Sequence, residues 1–183
     1  MEDQSTIATA MASGSRVLFL DIDGVLNSEN WVRREYERRV KELGIRKPIT
    51  DECDPEAVAL LNTLIERSHA KIVLSSAWRI VHGLKSTVDY LVRVGFKHKT
   101  AFIGKTPIAC PVTRHGVTEW PRRGQEIAEY LYMHPEITSY CILDDDPDML
   151  EEQHKHFVRT SFIKGLTEAD VQKCLSVFNI VHK

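Results

Sequence analysis

Four consecutive apolar residues, Val17-Leu18-Phe19-Leu20, run directly into Asp21-Ile22-Asp23-Gly24. The run reads as a fully buried strand that ends on two carboxylates, two positions apart, and then turns at a glycine. No other juncture constrains the chain as much. An unpartnered carboxylate at the edge of a core is strongly penalised, so these acids need compensation. A divalent cation supplies it, with one carboxylate left poised as a nucleophile. The plainer alternative is a strand end closed by ordinary turn residues, since Asp and Gly are both common in turns.

The pattern recurs downstream. Lys71-Ile72-Val73-Leu74-Ser75 predicts a second buried strand and Ser139–Leu143 a third, the latter followed by Asp144-Asp145-Asp146-Pro147-Asp148. Shorter strands are predicted near 100–103 and 157–160. Asp54 as N-cap and Pro55 at the first helical position open a helix whose apolar residues, Val58, Leu61, Leu64 and Ile65, recur at helical spacing. Further helices are predicted at 85–94 and 125–133, and Thr167-Glu168-Ala169-Asp170 resembles a capping box opening the last one. Alternating strands and helices predict an α/β fold, Rossmann-like in three α/β/α layers, with a mostly parallel sheet and helices on both faces. Ligands of such sheets gather at the carboxyl ends of the strands. If neighbouring strands end in Asp21-Ile22-Asp23, Ser75-Ser76 and Asp144-Asp145, their polar groups converge on one crevice.

With 183 residues the chain is long enough for one sizeable core. Residues 1–14 read as a flexible tail and 15–183 as a single domain. Within it, 28–53 form a small helical flap and 104–122 an irregular loop insert. In the flap, Trp31, Val32, Tyr36, Val40 and Leu43 recur at helical spacing among Arg33, Arg34, Arg38 and Arg39. A net charge of −2 excludes a global basic field for nucleic acid or anionic membrane. No apolar run approaches the roughly 20 residues of a membrane span, and no cleavable signal pattern opens the chain. The four cysteines are scattered without a Cys-x-x-Cys pair, which fits reduced thiols and a cytoplasmic protein. No obligate protein partner is evident.

Taken in order, four motifs resemble those of the haloacid dehalogenase (HAD) superfamily. They are Asp21-Ile22-Asp23-Gly24-Val25, Ser75 closing a strand in Leu74-Ser75-Ser76-Ala77-Trp78-Arg79, a basic residue in Arg122-Arg123-Gly124-Gln125-Glu126-Ile127, and Ile142-Leu143-Asp144-Asp145-Asp146-Pro147-Asp148. Ser-Ser-Ala-Trp-Arg, Arg-Gly-Gln-Glu-Ile and the later Lys164-Gly165-Leu166-Thr167 are similar to the small HAD domains of bacterial and phage RNA-repair proteins. The resemblance implies a HAD fold with little or no cap and a magnesium-dependent phosphatase. Asp21 would attack phosphorus to form an aspartyl-phosphate, and Asp23 would serve as general acid and then general base. Asp21, the Asp23 backbone carbonyl and Asp145 would hold Mg²⁺, with Asp144 and Asp148 behind them or binding through water. Which carboxylate of 144–146 touches metal is left open by strand register. Ser75, Ser76 and either Arg123 or Arg122 would hold phosphoryl oxygens. Arg79, Trp78 and Asn27 are candidate substrate contacts at the pocket mouth, although Trp78 fits simple core packing as well.

A nearly uncapped site suits a phosphate carried on a polynucleotide end or a nucleotide. The flap arginines, with Lys99, Lys105, Arg114, Arg122 and Arg123, would make local backbone contacts. Two alternatives stand beside this reading: a small-metabolite phosphatase lidded by 28–53, and a non-catalytic module that senses a phosphorylated ligand. The intact Asp21/Asp23 pair speaks against the latter. The sequence does not distinguish 3′ from 5′ phosphate, or RNA from DNA.

Overall fold

A computed structural model describes residues 15–114, 117–119 and 121–180; the expected tail at 1–14 lies outside them. The strands are β1 (Arg16–Leu20), β2 (Lys71–Leu74), β3 (Phe102–Lys105), β4 (Val112–Arg114), β5 (Val117–Glu119), β6 (Ser139–Asp144) and β7 (Phe157–Arg159). The helices are α1 (Glu29–Leu43), α2 (Pro55–Ser68), the single turn α3 (Trp78–Val81), α4 (Leu84–Val94), α5 (Arg123–Met133) and α6 (Glu168–Val177). Local chemistry sets the helix starts as the sequence predicts. The Asp54 carboxylate accepts from the Glu56 N–H at 2.8 Å, and Thr167 and Asp170 exchange bonds across the first turn of α6.

Five strands form one sheet in the order β3-β2-β1-β6-β7, every pairing parallel. Side-chain alternation splits the interior into two layers. Leu18, Leu20, Ile72, Leu74, Cys141 and Leu143 pack with Val58, Leu61 and Leu64 of α2, Leu91 of α4 and Val171 and Leu175 of α6. Val17, Phe19, Val73 and Ile142 pack with Ile127 and Tyr130 of α5 on the other face. The result is the expected three-layer α/β/α fold. Among the described residues, no helix is long and apolar enough to cross a membrane.

Two segments differ from expectation. The stretch 104–122 is not wholly irregular: β4 and β5 pair antiparallel as a small hairpin. The flap contains α1 as predicted, yet none of its residues is buried, so its apolar spacing reflects partial shielding rather than a core face. Two of its arginines are also less available than expected. Arg38 pairs with Glu35 and Glu42, and Arg39 reaches Glu35 and grips both Glu52 oxygens at 2.9 and 2.7 Å. These half-exposed pairs offset much of the flap's positive charge within the flap itself.

Candidate active site

The chain runs outward from β1 through β2 to β3, then returns to lay β6 on the other side of β1. The sheet's switch point therefore lies at the carboxyl ends of β1 and β6, where open α/β sheets form a crevice. Each ladder continues one residue past its strand. The Asp21 N–H donates to Leu143 O at 3.0 Å, Ser75 N–H to Leu20 O at 2.8 Å, and Thr106 N–H to Leu74 O at 3.0 Å. In parallel strands, residues at one level share a face. Asp21 follows Phe19, Ser75 follows Val73 and Asp144 follows Ile142, so all three fall on the α5 side.

Asp21, Asp144 and Asp145 each bring a carboxylate oxygen within 4.8 Å of the others. Asp21 is 7 % exposed and Asp144 3 %. Burial pushes both carboxyls well above the ordinary carboxylate range. For Asp21 the Arg123 guanidinium, the Ser76 hydroxyl and the Ile22 backbone oppose this, and for Asp144 the Asp21 charge adds to it. Burial also raises Asp145, the neighbouring Asp146 and Asp23 charges add to it, and Arg159 opposes. Gly24 presses against this cluster: with φ +69, a Cβ there would collide with the Asp145 carboxylate. All the donors are hard oxygens, two of them buried against like charge, and a divalent cation fits them.

Asp23 stands apart from that cluster, at the exposed end of the turn. The Trp78 indole N–H reaches both of its oxygens at 3.1 Å, and the Asn27 amide donates to Oδ1 at 2.8 Å. Asn27 Oδ1 in turn accepts from the Gly24 N–H at 3.0 Å. The turn is pinned from below, where the Thr160 hydroxyl donates to Gly24 O at 2.9 Å and the Leu166 N–H to Val25 O at 2.8 Å. The Lys164-Gly165-Leu166-Thr167 run thus lies beneath the first motif.

Trp78 and Arg79 present little surface to solvent. They are 5 % and 2 % exposed, because α3 turns both inward. Trp78 braces Asp23. Arg79 donates to the carbonyls of Ser76, Thr106 and Pro107 and pairs with Glu126 at 2.6 Å. Glu126 also takes Arg123 at 2.9 Å, and Arg123 Nε lies 3.7 Å from Asp144. Of the two candidate arginines, Arg123 faces the acids. Arg122 is exposed, and its N–H donates to Gln125 Oε1 at 2.8 Å. Asp148 accepts from the Arg123 N–H at 2.8 Å and so caps α5. Gly124 permits that approach, since a Cβ there would sit 2.6 Å from the Leu150 nitrogen. Ser76 Oγ accepts from the Trp78 N–H at 3.3 Å and bonds the Asp21 carboxylate. Ser75 Oγ is buried with no hydrogen-bond partner.

Sequence reasoning missed Glu126. An acid one turn after Arg123 was the available signal, but it reads equally well as an exposed helix pair. Thr106 was missed too. It sits beside Ser75 at the edge of the sheet, 1 % exposed, with an unpartnered hydroxyl.

An all-parallel sheet between two helix layers, with an acidic cluster at its switch point, is consistent with a HAD-type domain. Over residues 17–171 the chain matches the family described as the HAD domain in Swiss Army Knife RNA repair proteins, and it belongs to that family. No curated protein and no solved structure matches it. Membership suggests a phosphatase-type hydrolase, and the Asp cluster is compatible with a metal site.

Two outcomes follow from this geometry. Asp21 and Asp144 hold protons more tightly folded than unfolded, so their contribution to stability is complete below the ordinary range near pH 4 and is lost as pH rises above it. Thermal melts of metal-free protein should show this loss, and added Mg²⁺ should raise Tm more at pH 8 than at pH 5, because the ligands must ionise to bind. A Mg²⁺ shift independent of pH would contradict the cluster's role. Separately, Glu126→Ala strands the buried Arg79 and should cost about 3–5 kcal/mol in urea unfolding, with Glu126→Gln costing less.

Proposed function

We propose that this protein is a magnesium-dependent phosphomonoesterase acting on phosphorylated nucleic-acid ends or nucleotides through an aspartyl-phosphate. The observation that carries the reading is the division of labour between two acids two residues apart. Asp21 is buried among the clustered carboxylates, whereas Asp23 is exposed and fixed by an indole and an amide. A binding module has no need of a second carboxylate held in that way.

In this reading an Asp21 oxygen attacks phosphorus, the bond from phosphorus to the ester oxygen breaks, and Asp23 delivers its proton to that oxygen. Asp23 then takes a proton from water as the water oxygen attacks phosphorus, and the bond to Asp21 breaks to release inorganic phosphate. Asp21, Asp145 and the Asp23 backbone carbonyl would hold Mg²⁺, with Asp144 beside them. When bound, the ion neutralises charge on the transferring group and orients it. Arg123 is the cation for the phosphoryl oxygens, held toward the site by Glu126. The unpartnered Ser75 hydroxyl is a ready donor to the same oxygens. Ser76 orients Asp21, and the Trp78 indole N–H and the Asn27 amide orient Asp23. The nucleic-acid assignment is supported by the RNA-repair character of the family. A small-metabolite phosphatase remains the alternative outcome of a substrate screen.

Asp21→Asn should abolish hydrolysis of p-nitrophenyl phosphate without changing the circular dichroism spectrum; near-normal turnover would sink the nucleophile assignment. Asp23→Asn should remove most turnover of alkyl phosphates, whose leaving groups need a proton, and much less of p-nitrophenyl phosphate. Equal losses on both substrates would exclude Asp23 as the proton donor.

A further inference from the structure

Beside Trp78 lies a cavity of about 170 Å³ that the proposed chemistry does not use. Its walls are the rings of Trp78, His82 and Tyr90. The centroid of Trp78 is 4.9 Å from that of His82 and 5.7 Å from that of Tyr90. Arg93 lies over the Tyr90 ring at 5.7 Å, and Asp51 and Ser86 complete the rim. The far wall is fixed in place, because the Tyr90 hydroxyl accepts from the Cys53 N–H at 2.8 Å and so ties α4 to the segment returning from the flap. His82 Nε2 is buried with no hydrogen-bond partner, its approach to the Asp51 carboxylate being 3.7 Å.

We propose that this cavity is a subsite for the base of the nucleoside whose phosphate is removed. The inference rests on the proposed role of Asp23 at the leaving-group oxygen. One residue joins the two places: the indole of Trp78 grips Asp23 with its N–H and forms a wall of the cavity with its ring. A leaving group that takes its proton from Asp23 therefore departs beside an aromatic chamber. The chamber's size suits a single heterocyclic base. Flat rings stack on any base through its π-face, and Arg93 adds a cation to the stack. The polar groups at the rim are mixed: a guanidinium, a carboxylate, a hydroxyl and an unpartnered imidazole nitrogen. Both donors and acceptors of a base edge find partners there. A sugar phosphate or a simple alkyl phosphate would leave the rings unused.

The test compares dinucleotides bearing a terminal 3′ or 5′ phosphate with counterparts whose terminal nucleoside is abasic, all in Mg²⁺. Wild-type protein should turn over the base-bearing member of one pair with a kcat/KM roughly ten-fold higher, the scale that stacking of one base supports. Ser86→Trp, which fills the chamber from an exposed helix position, should bring that ratio close to one. Equal kcat/KM for both members in the wild type, or a ratio that survives Ser86→Trp, overturns the subsite while leaving the phosphatase reading intact. If no phosphomonoester is hydrolysed, the phosphatase reading fails by itself. The subsite is then decided by calorimetric titration of Asp21→Asn protein with the same pairs, where a tighter Kd for the base-bearing member supports it and equal Kd values overturn it.

Discussion

The parallel pairing of β1 with β6 at the sheet's switch point forces acids together that water would otherwise keep apart. Asp21 and Asp144 stand at one level of adjacent parallel strands, on one face, and the ladder bond from the Asp21 N–H to Leu143 O fixes that level. Neither carboxylate can retreat without breaking the sheet. Burial and mutual repulsion therefore fall on the same few atoms, and the Arg123 guanidinium offsets only part of that cost. Packing on both sheet faces supplies the stability that tolerates it. A divalent cation would relieve both costs at once.

The run from Ser75 to Arg79 distributes the rest of the machinery. Within one tight turn after β2, the Ser75 hydroxyl joins the row of acids on the α5 side and the Ser76 hydroxyl reaches Asp21. Trp78 goes to Asp23, and Arg79 crosses to Glu126 and the carbonyls that begin the 106–107 loop. Arg79 is thus a strut between three separate segments. Its ion pair with Glu126 aims a second arginine, Arg123, back at Asp144. A buried guanidinium with five N–H donors suits such a junction, where a lysine would satisfy fewer carbonyls.

Much of this was legible in the sequence because it depends on local pattern. Apolar runs ending in Asp21, Ser75 and Asp144 gave the strands, their levels and the crevice, and Asp54-Pro55 and Thr167–Asp170 gave helix starts. What stayed hidden depends on direction in space. Trp78 and Arg79 lie beside a motif and look available to substrate, but a single helical turn points them inward, and no periodicity in so short an element reveals that. The choice between Arg122 and Arg123 likewise turns on which residue opens α5. Arg38 and Arg39 looked like phosphate contacts because their pairing with Glu35, Glu42 and Glu52 is visible only once the helix and the segment after it are folded.

In the proposed reaction, the contrast between Asp21 and Asp23 would meet opposite demands on two groups of the same kind. A nucleophile gains from a dry surrounding in which nearby charges and dipoles are fixed beforehand, and Asp21, beneath the cluster and bonded by Ser76, has one. An acid–base group must trade protons with a departing oxygen and with water, so it has to reach solvent while keeping its direction. Asp23 meets both needs, since the turn leaves it exposed while the Trp78 indole and the Asn27 amide remove its freedom to swing. Two residues of chain separate the two environments, and Gly24 makes the separation possible. Its positive φ turns the backbone away from the strand direction, and its missing side chain leaves room for the Asp145 carboxylate beside the turn.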